Sequence, residues 1–142
     1  MTYEEFTLEI LDKLGVHQIL RGSEYIICSI EYLHSLNRYA TPDSEMIYNH
    51  AAEKYVLTPM SIENSMRNVI QRIWTQKENP ELMAEIFGEF NLAKRPCNME
   101  FLMLLYYYIQ IHLETSEELE KLYEIWETRK MLYRESKQPK EE

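Results

Sequence analysis

The sequence predicts an all-α domain of six or seven helices that contains a helix-turn-helix and has an added amphipathic helix at its C-terminus. Apolar residues recur at spacings of three and four along most of the chain, and no useful length alternates as a half-buried strand would. Only three glycines and five prolines interrupt 142 residues, as is typical of a helical domain. We expect the main domain over residues 1–114, the C-terminal helix over 115–135 and a frayed tail over 136–142.

Two helices are predicted before the helix-turn-helix. Thr2 and Glu5 form a capping box at the start of the first helix, which ends at Gly15. The second helix is expected from Ser23 to about Asn37. The first apolar stripe consists of Phe6, Ile10, Leu11 and Leu14, and the second of Ile26, Ile30 and Leu33, with Ile27 and Leu36 alongside.

Residues 44–75 predict the helix-turn-helix itself. Asp43 or Ser44 caps its short first helix. After a break in the pattern, Thr58 can cap a longer helix and Pro59 suits its first position. The buried stripe of this second helix is Ile62, Met66, Val69, Ile70 and Ile73, with Trp74 at its edge, and its polar face carries Ser61, Asn64, Ser65, Asn68 and Gln71. A second helix with a polar outer face is the arrangement that enters a DNA groove.

A short helix and a long apolar helix follow. The short helix is marked by Leu82, Met83, Ile86 and Phe87 and stops near Gly88. After a loop from Asn91 to Cys97, we expect Asn98 to cap a helix that is apolar nearly all the way round as far as Ile111. A helix without a polar face is buried on more than one side, so this helix needs a second covering.

The C-terminal helix is the candidate for that covering. Thr115 and Glu118 form another capping box, and the helix is expected to run to about Arg134. Packing on the Phe101–Ile109 segment is favoured over a self-associating seam, which would make a homodimer, because Arg129 interrupts the heptad. The residues expected at a partner interface are Tyr106, Tyr107, Leu119, Leu122, Tyr123 and Trp126.

Composition limits the class of protein. The chain has 24 acidic and 15 basic side chains and a net charge of -9, whereas a nucleic-acid-binding surface is usually basic. Cys28 and Cys97 have no metal-like spacing, which favours a reducing compartment. The N-terminus does not resemble a signal peptide, and the apolar run from Phe101 to Ile109 is too short to span a bilayer. We therefore expect a soluble, cytoplasmic protein.

Signals for catalysis are weak. Glu31 and His34 form a Glu-x-x-His pair like those of di-iron bundles, but such sites need a second copy and the sequence has none. No spacing supports a Ser-His-Asp or Cys-His site, and three isolated glycines cannot form a phosphate-binding loop. The sequence predicts no enzyme, no metal and no cofactor.

Residues in several predicted helices share their type and spacing with one known family. They are Leu14, Gly15, Val16, Ile19, Gly22, Tyr48, Ala51, Ala52, Lys54, Tyr55, Thr58, Ile62, Glu63, Arg67, Ile70, Trp74, Phe87, Gly88, Lys94, Pro96, Asn98, Glu100 and Phe101. Over residues 14–112 the chain thus resembles the C-terminal effector domain of stage 0 sporulation protein A, the master response regulator of endospore formation in Firmicutes.

The resemblance implies a function as well as a fold. It implies a helical domain with a helix-turn-helix, tandem binding to a short promoter element in double-stranded DNA, and contact with the sigma subunit of RNA polymerase. In the family a phosphorylated receiver domain precedes the effector domain, and here only Met1 to Lys13 precede the similar region. We therefore expect no direct control by phosphorylation.

The predicted recognition helix departs from the family. The positions of Ser61, Asn64 and Asn68 usually carry Arg, Arg and His there, and Glu63 and Arg67 are kept. The resemblance implies base contacts from these same residues, Ser61, Glu63, Asn64, Arg67 and Asn68. Because Arg pairs with guanine and Asn with adenine, a site richer in adenine is expected.

Phosphate contacts are expected from a second set of residues, namely Lys54, Thr58, Arg72, Lys77, Lys94 and Arg95. The lost cations remove part of the counterion release that drives affinity, so binding should be weak and sensitive to salt. Simpler roles stay open: a solvated polar face, a helix-supporting pair of Glu63 with Arg67, and solubilising cations in the loop.

Two functions therefore remain. The first is a sequence-specific DNA-binding transcriptional regulator, acting in pairs along the DNA. The second is an acidic protein-binding module that has lost DNA binding and modulates the sporulation regulator or RNA polymerase through its apolar helix and tail. The acidic charge favours the second function, whereas Glu63, Arg67 and the turn residues favour the first.

Overall fold

The computed structural model describes residues 1–36, 42–114 and 119–137. These residues form seven α-helices and one 3-10 turn, and none of them lies in a β-strand, which confirms the predicted all-α class. The helices are α1 Tyr3–Lys13, α2 Arg21–Ser35, α3 Ser44–Tyr55, α4 Pro59–Gln76, α5 Pro80–Phe87, α6 Asn98–Leu113 and α7 Leu119–Lys137, and the 3-10 turn is Glu89–Asn91. No described helix is both long enough and apolar enough to cross a bilayer.

Side-chain caps fix where α3 and α4 begin. At α3, Asp43 Oδ1 accepts a hydrogen bond from the Met46 amide at 2.9 Å. At α4, Thr58 Oγ1 accepts from the Ser61 amide at 3.2 Å, and Pro59 occupies the first helical position. Each cap satisfies an amide that the helix itself leaves without a partner. Both predicted starts are confirmed.

Two other predicted boundaries change. Helix α2 begins earlier than expected, at Arg21, so Gly22 is helical. Helix α6 begins at Asn98 with Cys97 before it as the N-cap residue, so the prediction that Asn98 caps this helix is wrong. The Asn98 side chain is buried, and its Nδ2 donates to the main-chain oxygen of Glu63 at 3.0 Å. This hydrogen bond links the start of α6 to α4.

Helix α6 is the centre of the core. Every residue from Phe101 to Gln110 is buried, and α6 contacts α1, α2, α4, α5 and α7. These contacts explain why its sequence has no polar face. The rings of Trp74, Phe87 and Phe101 meet where α4, α5 and α6 converge, with centroid distances of 4.9 to 6.1 Å. The back of α4 is therefore anchored to the centre of the domain.

Helix α7 packs on α6 and reaches α5. Leu122 and Trp126 are buried, at 1% and 5% exposure. Trp126 Nε1 donates to the main-chain oxygen of Ile86 at 3.0 Å, so the indole spans from α7 to α5. The predicted capping box at Thr115 and Glu118 lies outside the described residues.

Candidate nucleic-acid interface

Helix α4 turns one face to the core and the other to solvent. The predicted apolar stripe is buried at Ile62, Met66, Val69, Ile70 and Ile73. The opposite face is exposed at Ser61, Asn64, Asn68 and Gln71 and partly exposed at Ser65. The polar side chains of α4 are therefore accessible to a ligand rather than used in packing.

Small residues bring α3 close to α4. Ala51 and Ala52 are buried, at 0% and 6% exposure, and α3 and α4 are in contact. Helix α3 ends at Tyr55, and the C-cap residue after it, Val56, has a left-handed φ of 55°, a conformation that β-branched residues rarely adopt. The left-handed residue reverses the chain within a short turn, and Thr58 then starts α4.

Gly22 sets how closely α2 approaches α4. A Cβ atom at this position would lie 2.2 Å from the Ser65 carbonyl oxygen and 2.5 Å from Val69 Cγ2. A side chain does not fit, because the nearer of these atoms belongs to the α4 backbone and cannot rotate away. Helix α2 thus fixes one edge of α4, where a shallow cleft is lined by Leu20, Gly22, Ser65, Asn68, Val69 and Arg72.

Arg67 is held by two neighbours on its own helix. Its Nη2 lies 2.7 Å from Glu63 Oε1, and its Nη1 donates to Asn64 Oδ1 at 3.0 Å. The side chains of Arg67 and Glu63 keep 43% and 39% of their surface exposed. The i, i+4 pair is therefore formed, and it also orients the Asn64 amide.

A second cleft, of about 250 Å³, lies on the other side of α4. It brings Arg95 together with Arg67 and Glu63, although Arg95 comes from the loop before α6. Arg95 Nη1 is buried and has no hydrogen-bond partner among the described residues. Burial raises the pKa of the Tyr48 phenol in this cleft, so the phenol stays neutral beside the guanidinium groups. The cleft has donors suited to an anion next to the exposed face of α4.

The other predicted phosphate contacts lie at different distances from that face. Arg72 is exposed and lines the cleft beside Asn68, and Lys94 is exposed beside Arg95. Lys77 is the C-cap of the 18-residue α4, so it lies about 24 Å along the axis from Ser61.

Two predicted phosphate contacts lie near the turn between α3 and α4. Lys54 is exposed at the end of α3, and its Nζ is 5.5 Å from the Tyr55 ring centroid. Thr58 is also exposed, but its hydroxyl already accepts from the Ser61 amide as the cap of α4 and lies 2.9 Å from Ser61 Oγ.

One comparison with known proteins decides the family. The family model described as "Sporulation initiation factor Spo0A C terminal" matches residues 7–109. The chain belongs to this family. The matched region runs from within α1 to within α6 and includes α3 and α4. The Spo0A C-terminal family is one of DNA-binding domains that regulate transcription in sporulation, and it is not a family of enzymes.

Helix α7 lies outside the region matched to the Spo0A C-terminal family, and it covers most of the predicted partner interface. The side chains buried within the chain are Tyr106, Tyr107, Leu122 and Trp126, at 4%, 6%, 1% and 5% exposure. Tyr123 is 50% exposed, and the side chain of Leu119 is not among those described. Tyr107 contacts Arg129 of α7, so a partner can reach Tyr107, Leu122 and Trp126 only if α7 leaves α6. Tyr106 instead packs near Tyr3 of α1, with ring centroids 6.3 Å apart.

The sequence analysis missed two residues beside the exposed face of α4. Met60 is 69% exposed in the first turn of this helix. Arg21 is exposed in the first turn of α2, next to the two residues that line the cleft beside Asn68. The sequence could have singled out Met60, because it is an apolar residue at a position outside the apolar stripe of α4. The position of Arg21 depends on how α2 crosses α4, which no local pattern shows.

Proposed function

We propose that this Spo0A C-terminal family member is a transcription regulator that binds double-stranded DNA through the outward face of α4, at a site with more adenine than that of its family. The α3–α4 pair acts as a helix-turn-helix, with α4 in the major groove. The observation that carries the proposal is the outward row of Asn64, Arg67 and Asn68, in which both asparagines are exposed and the Arg67 side chain keeps 43% of its surface accessible.

The contacts of Asn64 are compatible with adenine. Its Oδ1 accepts one hydrogen bond, from Arg67 Nη1, and an amide oxygen has two acceptor sites. The second site can accept from adenine N6 while Nδ2 donates to N7, which is the bidentate pair that an amide makes. Arg67 can therefore orient Asn64 for base reading without competing with the base.

Phosphate contacts come from both edges of α4 in this proposal. Arg72 lies on the edge beside α2, and Arg95 and Lys94 lie on the edge beside α6. The buried Nη1 of Arg95 lacks a partner among the described residues, and a phosphate oxygen would supply one. Three such contacts predict that log K falls with log salt with a slope of about -3.

The decisive experiment is a selection from random duplex DNA followed by fluorescence anisotropy. The selected sites should be rich in A·T pairs, should bind at low salt and should show a slope of about -3. The matched control is Asn64→Ala with Asn68→Ala, which keeps every charge and should lose the preference for adenine while keeping non-specific binding. If no duplex is enriched or bound at low ionic strength, DNA binding is not the function of this chain.

One observation favours the alternative of a protein-binding module that modulates the sporulation regulator or RNA polymerase. Tyr123, Met131 and Leu132 are exposed apolar residues on α7, at 50%, 50% and 55%. They are the part of the tail that a partner such as the sigma subunit, or a second copy, can reach with α7 in place. Two results together would favour this function over DNA binding. The anisotropy experiment would show no DNA binding, and a purified sigma subunit would bind wild type but not the double variant Tyr123→Ala, Leu132→Ala.

A further inference from the structure

Met60 is an apolar side chain on an otherwise polar surface. It is 69% exposed, although it lies in the first turn of α4 between the cap residue Thr58 and the exposed amides. Val56 and Leu57, in the turn before it, are also exposed, at 88% and 40%. Packing does not require an apolar residue at position 60, because the core face of α4 is formed by other positions.

Helical geometry places Met60 in line with the proposed base-reading residues. Asn64 follows it by four residues and Arg67 by seven, so Met60 is about 40° round the helix from Asn64 and about 6 Å along the axis. Ser61, its neighbour, has its hydroxyl near Thr58 Oγ1. When a recognition helix enters the major groove, its N-terminal residues approach the base edges most closely, and Met60 is one of them.

The chemistry of an adenine-containing site then identifies what Met60 meets. In the A·T-rich site proposed above, the base pair next to the one read by Asn64 is also an A·T pair, and its thymine projects a C5 methyl group into the same major groove. That methyl is the main apolar group on the floor of the groove, and a flexible thioether side chain adapts well to such a contact. A protein partner at Met60 would instead cover Asn64 and block the groove-facing row.

We propose that Met60 is a specificity-determining residue that contacts a thymine C5 methyl group in the base pair next to the one read by Asn64. This inference rests on the proposed DNA-binding function. It assigns to α4 an apolar reading of thymine beside the polar reading of adenine. A site with guanine or cytosine at that base pair lacks the methyl group and is bound less tightly.

The test removes the methyl group and nothing else. In the duplex selected by the full chain, each thymine is replaced in turn by deoxyuridine, and affinities are measured by anisotropy. One or two positions should weaken wild-type binding about fourfold, the value expected for one buried methyl group. Met60→Ala should bind the original duplex less tightly, and its affinity should not change when deoxyuridine replaces thymine at those positions. Met60→Leu should keep most of the wild-type sensitivity to deoxyuridine. The control variant Met46→Ala removes a methionine on α3 that is 45% exposed, and it should keep the full wild-type sensitivity to deoxyuridine.

The outcomes separate this inference from the function on which it rests. If the chain binds no duplex, both are overturned. If it binds selected DNA but deoxyuridine has no effect at any position, or has the same effect on wild type and on Met60→Ala, the inference about Met60 is overturned and DNA binding stands. Because Met60 is exposed, circular dichroism should show an unchanged helical fold for the variants, so a loss of methyl sensitivity would report the contact itself.

Discussion

Arg67 Nη1 donates a hydrogen bond to Asn64 Oδ1 at 3.0 Å, one turn of α4 away. Because Glu63 holds the other end of the same guanidinium at 2.7 Å, the three side chains form a chain along the exposed face. The two groups proposed to read bases are therefore ordered before any ligand arrives. Ordering in advance lowers the entropy lost on binding, which matters in a protein with few cations on this face.

The first prediction concerns Arg67. Replacing it by alanine removes a base or phosphate contact and the partner of Asn64, so affinity for the selected duplex should fall by about 1 to 3 kcal/mol. Arg67→Lys should not restore it, because an ammonium cannot hold Glu63 and Asn64 as a planar fork does. Anisotropy titrations measure both. Lys121→Ala removes an equal charge on α7 and should have little effect; an equal loss there would mean that only net charge matters.

The second prediction concerns the base read by position 64. Asn64→Arg replaces an adenine-reading amide by a guanine-reading guanidinium, and a good bidentate pair discriminates by about 1 to 3 kcal/mol. Selection with this variant should therefore return sites with guanine at one defined position where wild type returns adenine. Gln71→Arg, at an exposed position farther along α4, is the control for added charge. A uniform gain on all duplexes in both variants would contradict base reading by Asn64.

The third prediction concerns the crossing of α2 and α4. Gly22→Ala should destabilise the protein by about 1 to 3 kcal/mol, because the new methyl group would lie 2.2 Å from the Ser65 carbonyl oxygen. The better helix propensity of alanine, about 1 kcal/mol, does not offset a backbone clash. Urea denaturation measures the change, and Glu24→Ala, at an exposed position of the same helix, should stay within about 0.5 kcal/mol. A stability equal to wild type would mean that the helices separate easily.

The fourth prediction concerns α7. Trp126→Ala should cost about 3 to 5 kcal/mol, because the indole is buried and donates to the Ile86 carbonyl at 3.0 Å. Tyr123→Ala, at a half-exposed position one turn earlier, should cost far less.

Truncation after Glu114 should expose the α6 surface near Tyr107 and Tyr108 and cause aggregation, as measured by light scattering. A truncated chain that stays monomeric and equally stable would show that α7 contributes little.

The fifth prediction concerns pH. His17 Nδ1 lies 2.9 Å from Asp12 Oδ1 and Nε2 lies 2.6 Å from Glu78 Oε1, and both nitrogens can donate only in the imidazolium form. The hydrogen bond to Asp12, followed by that to Glu78, raises the pKa of His17 above 6.5. This stabilisation is fully present below the unfolded pKa and is lost as pH rises through the folded pKa. In urea denaturation, His17→Gln should therefore be less stable than wild type at about pH 5.5 and close to it at about pH 9. A gap that widens with rising pH would contradict the bridge.

Local signals predicted the helices well and long-range contacts poorly. Thr2 with Glu5 and Thr58 with Pro59 were predicted as helix starts and are found so, because a cap is decided by residues within one turn. Asn98 has the same local signal, but its side chain instead bonds a carbonyl of α4. A residue type that can cap can also satisfy a distant group, and spacing alone does not distinguish the two.

The candidate site shows the same division. The exposed positions of Ser61, Asn64 and Asn68 follow from the apolar stripe on the other side of α4. The place of Arg95 beside Arg67 does not follow from any pattern, because the two come from segments separated by α5 and a loop. Tyr107, Leu122 and Trp126 are buried where α6 meets α7, but the same apolar pattern could have been buried against a second chain.

The sequence by itself determined the helical class, the helix that carries the polar face, and the exposed amides of Asn64 and Asn68 on that face. Periodicity and capping involve residues a few positions apart, so their physics is complete within each segment. Only the tertiary structure decided that Gly22 brings α2 against α4, that Arg95 lines the same cleft as Glu63 and Arg67, and that α7 covers α6. Those contacts depend on how several helices pack at once, because each helix offers more than one face or angle that would bury its apolar residues.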